Sequence, residues 1–378
     1  MTAAPLIGLV GGYGAVGQST VCLLRTWGAV RMRIGGRHPA LAEELIRNEL
    51  GGCGEAVALD INDPASLADF CAGCQIVVNC AGPSYRVLDR VALAAFAAGA
   101  NYVDPGGDEL LYRRLAALEL AKAGRIALLT AGMMPGLSGL LPRWLARQGF
   151  ERATQLTAYV GGRGRLTPTG AADYLLSLAT VTTDSLAAWR DGAKVSRALE
   201  PLTNVLLPFF PPGVTAYPFF SAEAERLARE LELSDVSWYN VFEGGHMLAA
   251  LGRLQGAAVD CEDLSAAVSE LSQAAELDLF GKSSYQLFVL QLAGEAGGCP
   301  MSRTVMLRAL DAHGLSGTVN AFAVSAVLGG EMAPGLYFAA EALNPNIMDR
   351  LRHTPAITAM ELIEVAPNTG IPLEDGEL

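Results

Sequence analysis

The stretch Leu6-Ile7-Gly8-Leu9-Val10-Gly11-Gly12-Tyr13-Gly14-Ala15-Val16-Gly17-Gln18 constrains this chain more than any other. A short apolar run fit for a buried strand ends in a glycine cluster, which leads into the helical run Ser19 to Trp27. Gly12, Gly14 and Gly17 have the spacing G-x-G-x-x-G, with Tyr13, Ala15 and Val16 between them. In a dinucleotide-binding turn the first glycine permits the bend, and the second lets a pyrophosphate approach the backbone. The third lets helix pack on strand, and the helix N-terminus offers free N–H groups to the phosphates. Glycine clusters also make ordinary turns, but here the strand–turn–helix order is the one the motif requires.

The second strand, Val30 to Ile34, runs into Gly35-Gly36-Arg37-His38-Pro39. An acidic residue at this point would bind the adenosine ribose and select NAD. The chain has Arg37, whose guanidinium suits a ribose 2′-phosphate by charge and by forked geometry, so NADP(H) is the expected cofactor. Pro39 opens a helix to about Leu50. A third strand, Ala56 to Leu59, ends at Asp60, which either lies near the adenine end or caps the helix Pro64 to Cys71. The fourth strand, Gln75 to Asn79, leads into Cys80-Ala81-Gly82-Pro83-Ser84-Tyr85. Ligands of open parallel sheets sit outside the carboxyl ends of the strands, so this loop is expected to face the nicotinamide. An Ala-rich helix (Val87 to Ala98), a strand (Asn101 to Asp104) and a further strand (Ile126 to Thr130) continue the alternation. The last of these runs into Ala131-Gly132-Met133-Met134-Pro135-Gly136. The rhythm predicts right-handed βαβ units and a doubly wound parallel Rossmann sheet.

Several of these segments resemble saccharopine dehydrogenase-like proteins, in particular the NADP-dependent, glutamate-forming reductases. Val78-Asn79-Cys80-Ala81-Gly82-Pro83 resembles their V-N-C-x-G-P run, and Tyr102-Val103-Asp104 their Y-V-D segment. Gly132-Met133-Met134-Pro135-Gly136 resembles G-L-D-P-G, and Tyr159-Val160-Gly161-Gly162 the Y-C-G-G strand that opens their second domain. Val327-Leu328-Gly329-Gly330 and Pro334-Gly335-Leu336 are similar to the closing helix and turn. The resemblance implies a helix, Leu315 to Leu328, that packs back on the nucleotide domain. One departure bears on substrate: Met134 stands where the motif has aspartate. A site for a multiply charged amino-acid adduct needs paired charges, because unpaired buried charge is costly. Met133 and Met134 point instead to a less charged C=N substrate, and Ser84, Gly132, Met133 and Met134 are the substrate-side candidates.

After about Leu137 the alternation stops, giving a Rossmann domain over 1–136, a substrate and dimerisation domain over 137–312, and a return over 313–378. The inserted domain reads as α+β with a mostly antiparallel sheet. Thr154 to Val160 is its first strand, Gly170 to Arg190 is helical, and the proline- and aromatic-rich Glu200 to Phe220 is an irregular loop. Ser234 to Phe242 is a strand that leads into Glu243-Gly244-Gly245-His246. Two long strands, Ser283 to Leu292 and Met301 to Ala309, follow.

Half of the 378 residues are hydrophobic, and mean hydropathy is +0.30. No apolar run approaches the ~20 residues of a membrane helix, so the excess reads as large cores and a buried subunit interface, hence a homodimer. A net charge of −12 argues against nucleic acid and anionic membranes as partners. The seven cysteines are an odd number in mostly apolar surroundings, as in a reducing, cytoplasmic setting. Cys71-Ala72-Gly73-Cys74 has redox or zinc spacing, but no second pair or histidine completes it, so two buried thiols are expected.

NADPH delivers a hydride, so the protein must position an electrophilic carbon and protonate the atom left behind. The candidate donors are Tyr85, Asp104, Asp108 and His246. The cofactor-side set is Gly12, Tyr13, Gly14, Ala15, Val16, Gly17, Gly36, Arg37, Asp60, Asn79, Cys80, Ala81, Gly82 and Pro83. By resemblance the expected chemistry is imine reduction of a small-molecule substrate. The nearest type is the thiazolinyl imine reductases of siderophore assembly, which act on carrier-protein-bound intermediates. An opine or saccharopine dehydrogenase, a trans-acting enoyl reductase and a non-catalytic NADPH-binding sensor are the alternatives.

Overall fold

The computed structural model describes residues 4–28, 30–178, 183–256 and 264–365. The chain divides into two units, one of Met1–Leu140 with His313–Ile347, the other of Leu141–Ala312 with Met348–Leu378.

The first unit is built on β1 (Leu6–Val10), β2 (Arg31–Gly36), β3 (Glu55–Ala58), β4 (Ile76–Asn79), β5 (Asn101–Val103), β6 (Ile126–Leu129) and a late strand, Gly335–Phe338. These lie in the order Gly335–Phe338, β6, β5, β4, β1, β2, β3, and all pair in parallel. Every residue of β1, β4 and β6 is buried, which is why they read as unbroken apolar runs rather than alternating ones. The chain leaves β1 toward β2 and β3, then crosses back to β4, so the carboxyl ends of β1 and β4 flank the switch point where a ligand crevice opens. Helices α1 (Ala15–Trp27), α2 (Pro39–Glu49) and α3 (Pro64–Cys71) complete the first half. The expected helix from Val87 to Ala98 is two: α4 (Ser84–Val87) and α5 (Arg90–Ala97), separated at Leu88, whose φ is +53°. The break gives Ser84 and Tyr85 a short helix of their own. A core around Phe70, Tyr102, Leu115 and Leu129 fills one face of the sheet.

The Cys71–Cys74 segment is the C-terminus of α3. Arg33 Nη1 donates to Phe70 O (2.6 Å) and Ala72 O (2.8 Å), satisfying carbonyls the helix leaves open. Both cysteines are buried, and burial pushes the Cys71 thiol up to about 12. Cys53 and Cys299 are exposed. An aromatic disulfide reagent should therefore titrate Cys53 and Cys299 rapidly in the native protein, and Cys71 and Cys74 only after denaturant is added. Cys261 lies outside the described residues, as does the acidic tail from Gly370 to Leu378.

The second unit holds a ten-stranded sheet. Its central strand, Arg152–Arg163, pairs in parallel with Asp235–Phe242 and antiparallel with Tyr285–Ala296. The remaining pairings are antiparallel. Helices Pro168–Leu178, His246–Gly256 and Ser265–Leu279 share a cluster that includes Ala171, Leu175, Leu251 and Leu271.

Three sequence expectations differ from this arrangement. The helix expected from Gly170 to Arg190 is described over Pro168–Leu178, residues 179–182 lie outside the described residues, and Thr183–Ser185 and Ala188–Arg190 are strands. Glu200 to Phe220 contains two strands, Leu202–Val205 and Val214–Ser221. Within it Val214, Ala216, Pro218 and Phe220 are buried in strict alternation, and this period of two outweighs the proline. Finally, the C-terminal return ends near Ile347. Ile357–Val365 pairs instead with Cys299–Ala309, register Met306↔Glu361, and so satisfies the outer edge of a strand buried through Thr304 to Leu307. Among the described residues no helix is long and apolar enough to cross a membrane.

Candidate functional site

The turn after β1 is shaped by close approach. Gly11 has φ +70°, and a Cβ on it would fall 2.9 Å from Ala81 N and 3.0 Å from the Cys80 carbonyl carbon. The loop after β4 thus rests directly on the turn, and Gly11, which the three-glycine spacing does not require, is as constrained as the fingerprint glycines. A Cβ on Gly17 would fall 2.6 Å from Gly12 Cα and 2.7 Å from Gly11 O. Gly14 is the N-cap of α1 and supplies no side-chain cap, and no acid lies in the first turn. The first N–H groups of α1, among Ala15, Val16 and Gly17, are therefore available to an anion, with the helix dipole behind them.

At the adenosine end, Tyr13 lies over Gly36: a Cβ there would fall 2.4 Å from Tyr13 Oη, which accepts from His38 N at 3.2 Å. Arg37 is exposed and has no hydrogen bond or ion pair among the described residues. Asp60 does not cap α3; that cap is Asp63, which accepts from Ala65 N at 3.0 Å. Asp60 instead closes a turn with Asn62 N (2.9 Å) and remains exposed, because an aspartate two residues ahead makes an Asx turn more readily than a cap three residues away. With Arg37 uncommitted, Arg37→Ala should raise the NADPH dissociation constant about 10- to 100-fold and leave that for NADH unchanged, measured by nicotinamide fluorescence titration.

The loops after β4, β5 and β6 are stitched together. Asp104 is 2% exposed and accepts from Asn79 Nδ2 (3.0 Å), Tyr102 Oη (2.6 Å) and Gly106 N (2.8 Å). Burial holds its carboxyl above the ordinary value, against the pull of these three donors. It is enclosed by its donors, so it positions the loops and is not placed to hand a proton to substrate. Asn79 is likewise buried. Thr130 N donates to Gly106 O (2.6 Å) and Ala131 N to Asp104 O (2.8 Å). Thr130 has φ +57°, a strained conformation for a β-branched residue, and it launches the loop in which Gly132 bridges Gly136. No sequence signal marked Thr130. Met133 and Met134 are half-buried in that loop.

Tyr85 and Asp108, both half-buried, form a polar pair in the loops after β4 and β5. Pro83 is the N-cap of α4, and from this helix Tyr85 Oη donates to Asp108 Oδ2 at 2.5 Å. Asp108 caps α6 (Glu109–Leu115), its other oxygen accepting from Leu110 N at 3.1 Å. Ser84 lies beside Gly106, where an added Cβ would meet Ser84 Cβ at 3.2 Å. His246 belongs to the second unit, and the fold uses its backbone: His246 N and Met247 N donate to Asp278 at 3.2 and 2.9 Å. Neighbouring Glu243 is taken up by Arg163, by Tyr285 Oη (2.8 Å) and by Lys282 (3.4 Å).

Residues 7–131 match the saccharopine dehydrogenase NADP binding domain. A search of curated proteins gives no match. Among solved structures, saccharopine dehydrogenase (L-Glu forming) from Saccharomyces cerevisiae aligns at a TM-score of 0.68 and 18% identity, over 96% of this chain and 100% of that one. The DAP dehydrogenase of C. glutamicum, in complex with DAP, aligns at 0.48 and 14% identity, over 93% and 98%. An engineered D-amino acid dehydrogenase bound to NADP+ aligns at 0.48 and 15%, over 92% and 99%. The uncapped first turn of α1 and the uncommitted Arg37 fit the pyrophosphate and the 2′-phosphate of such a dinucleotide. Residues 7–131 are thus an NADP(H)-binding domain that matches the one of saccharopine dehydrogenases, in a chain with the fold of the yeast enzyme.

Proposed function

We propose that the protein is an NADPH-dependent oxidoreductase that reduces a C=N bond, and that its substrate is a thiazoline ring, converted to a thiazolidine, on a carrier-bound siderophore intermediate. Two observations carry the reading: Met133 and Met134 are half-buried in the loop after β6, and a hydroxyl–carboxylate pair, Tyr85 and Asp108, stands in the loops after β4 and β5. An apolar, polarisable wall suits a neutral sulfur-containing ring, and a buried polyanionic amino-acid adduct would lack counter-charges there. NADPH, held by the first turn of α1 and Arg37, would supply a hydride for the imine carbon. The electron pair displaced from the C=N bond stays on nitrogen, which takes a proton from Tyr85. Asp108 orients that hydroxyl, and solvent restores the proton.

Incubation with NADPH and a thiazolinyl thioester tests the reading: NADPH oxidation no faster than background sinks it. The fold shared with the yeast saccharopine dehydrogenase favours a second reading, amino-acid adduct oxidation. Reduction of NADP+ with saccharopine, and no turnover of thiazoline, would select that one.

A further inference from the structure

The helix Ala312–Leu328 carries a polar side chain enclosed by the nucleotide-binding elements. Asn320 is 0% exposed. Its Nδ2 donates to Thr20 Oγ1 at 3.2 Å and to Cys80 Sγ at 3.5 Å. Thr20 is also 0% exposed; it lies on α1, and its hydroxyl is within hydrogen-bond distance of Val16 O (3.0 Å) and Gly317 O (3.2 Å). Cys80 opens the loop after β4, anchored by its own N–H to Val10 O at 2.8 Å. One amide therefore touches both halves of the dinucleotide cradle: the helix whose first turn receives the pyrophosphate, and the loop at the nicotinamide end.

The same helix reaches the third loop, where Met133 N donates to Ser316 Oγ at 3.2 Å. It does so at backbone contact with α1, since a Cβ on Gly317 would fall 2.6 Å from Val16 O and 2.9 Å from Thr20 N. Asn320 Oδ1 has no hydrogen-bond partner among the described residues. A fully buried amide with an unsatisfied oxygen costs free energy that a leucine of similar size would avoid. Packing alone gives no reason for asparagine here; joining two loops does.

We propose that Asn320 is a positioning residue for NADP(H), locking the pyrophosphate-binding turn and the loop after β4 into one geometry so that the two halves of the dinucleotide are held together. It acts through Thr20 and Cys80 and touches neither cofactor nor substrate. The assignment holds for any NADP(H) reaction at this site and does not rest on the imine reading.

The test is ligand binding. Asn320→Leu should weaken NADPH about tenfold, the ~1.4 kcal/mol equivalent of one net hydrogen bond. Adenosine 2′-monophosphate, whose one phosphate is the 2′-phosphate at the Arg37 end, should bind within twofold of its original affinity. Cys80→Ala should weaken NADPH about threefold, and the double variant about tenfold, no worse than Asn320→Leu, because the two residues act as one unit. NADPH affinity within twofold of the original in Asn320→Leu overturns the proposal, as does an equal loss for both ligands, which is what a merely structural role gives. Should Asn320→Leu fail to fold, Thr20→Val and Cys80→Ala decide. A loss confined to NADPH in either supports the link, and unchanged NADPH affinity in both overturns it.

Discussion

Gly17→Ala yields a protein whose NADPH dissociation constant is raised at least ~100-fold, about 2.7 kcal/mol. The three atoms nearest the new methyl are Gly12 Cα (2.6 Å), Gly11 O (2.7 Å) and Gly12 C (2.7 Å). All are backbone, so no side chain can swing aside, and α1 must retreat from the turn. A shift of about 1 Å at a phosphate cradle is enough for a loss of this size. Overpacking of ~1–3 kcal/mol should also lower the melting temperature of the unliganded protein by several degrees. Gly12→Ala is the control: its nearest contact is Leu9 Cβ at 2.9 Å, followed by a side-chain methyl of Ile34 at 3.1 Å, and the loss should be smaller. Fluorescence titration and differential scanning calorimetry report both quantities. NADPH binding within tenfold of the original in Gly17→Ala would show that α1 does not need this contact.

Tyr85→Phe lowers kcat for imine reduction about 100-fold, the lower range for loss of a positioned acid, with KM for NADPH unchanged. The argument rests on one contact, Tyr85 Oη to Asp108 Oδ2 at 2.5 Å, and on the position of both residues after parallel strands at their carboxyl ends. Asp108→Asn should cost about tenfold in kcat with little loss of stability, because asparagine caps α6 as well as aspartate does. The double variant should be no slower than Tyr85→Phe, since the carboxylate acts through the hydroxyl. Steady-state rates at saturating NADPH decide. A kcat within twofold of the original for Tyr85→Phe removes this tyrosine from proton transfer and leaves solvent as the donor.

The Rossmann half of the molecule was legible because its signals are local. The apolar run of β1, the spacing of Gly12, Gly14 and Gly17, and Arg37 after β2 each carry their meaning within a few residues. The site was legible only as a set of loops. Sequence names Tyr85, Asp104, Asp108 and His246 as donors and puts Tyr85 and Asp104 foremost, each directly after a strand end. Their hydrogen bonds separate them, because Asp104 is buried under three donors while Asp108 pairs with Tyr85. Asn320, 300 positions from Thr20, has no local signature; a single buried amide in an Ala/Val-rich helix reads as a core defect until its partners are seen. The second unit was read less well where β-branched and proline-containing segments form short strands, since these depend on partners far along the chain.

The first unit is also discontinuous in a way that orders its own making. The strand Gly335–Phe338 pairs with β6, Gly335 against Ile126, and the helix bearing Asn320 follows the whole of Leu141–Ala312. On a ribosome adding about 5–20 residues per second, β6 waits on the order of 10–40 s with an open edge while the intervening residues are made. An apolar strand with one edge open that long is a site for wrong pairing, and closing so long a loop is slow. The contacts of Asn320 with Thr20 and Cys80 form only when this late helix docks, and bound NADP(H) stabilises the assembled unit by mass action.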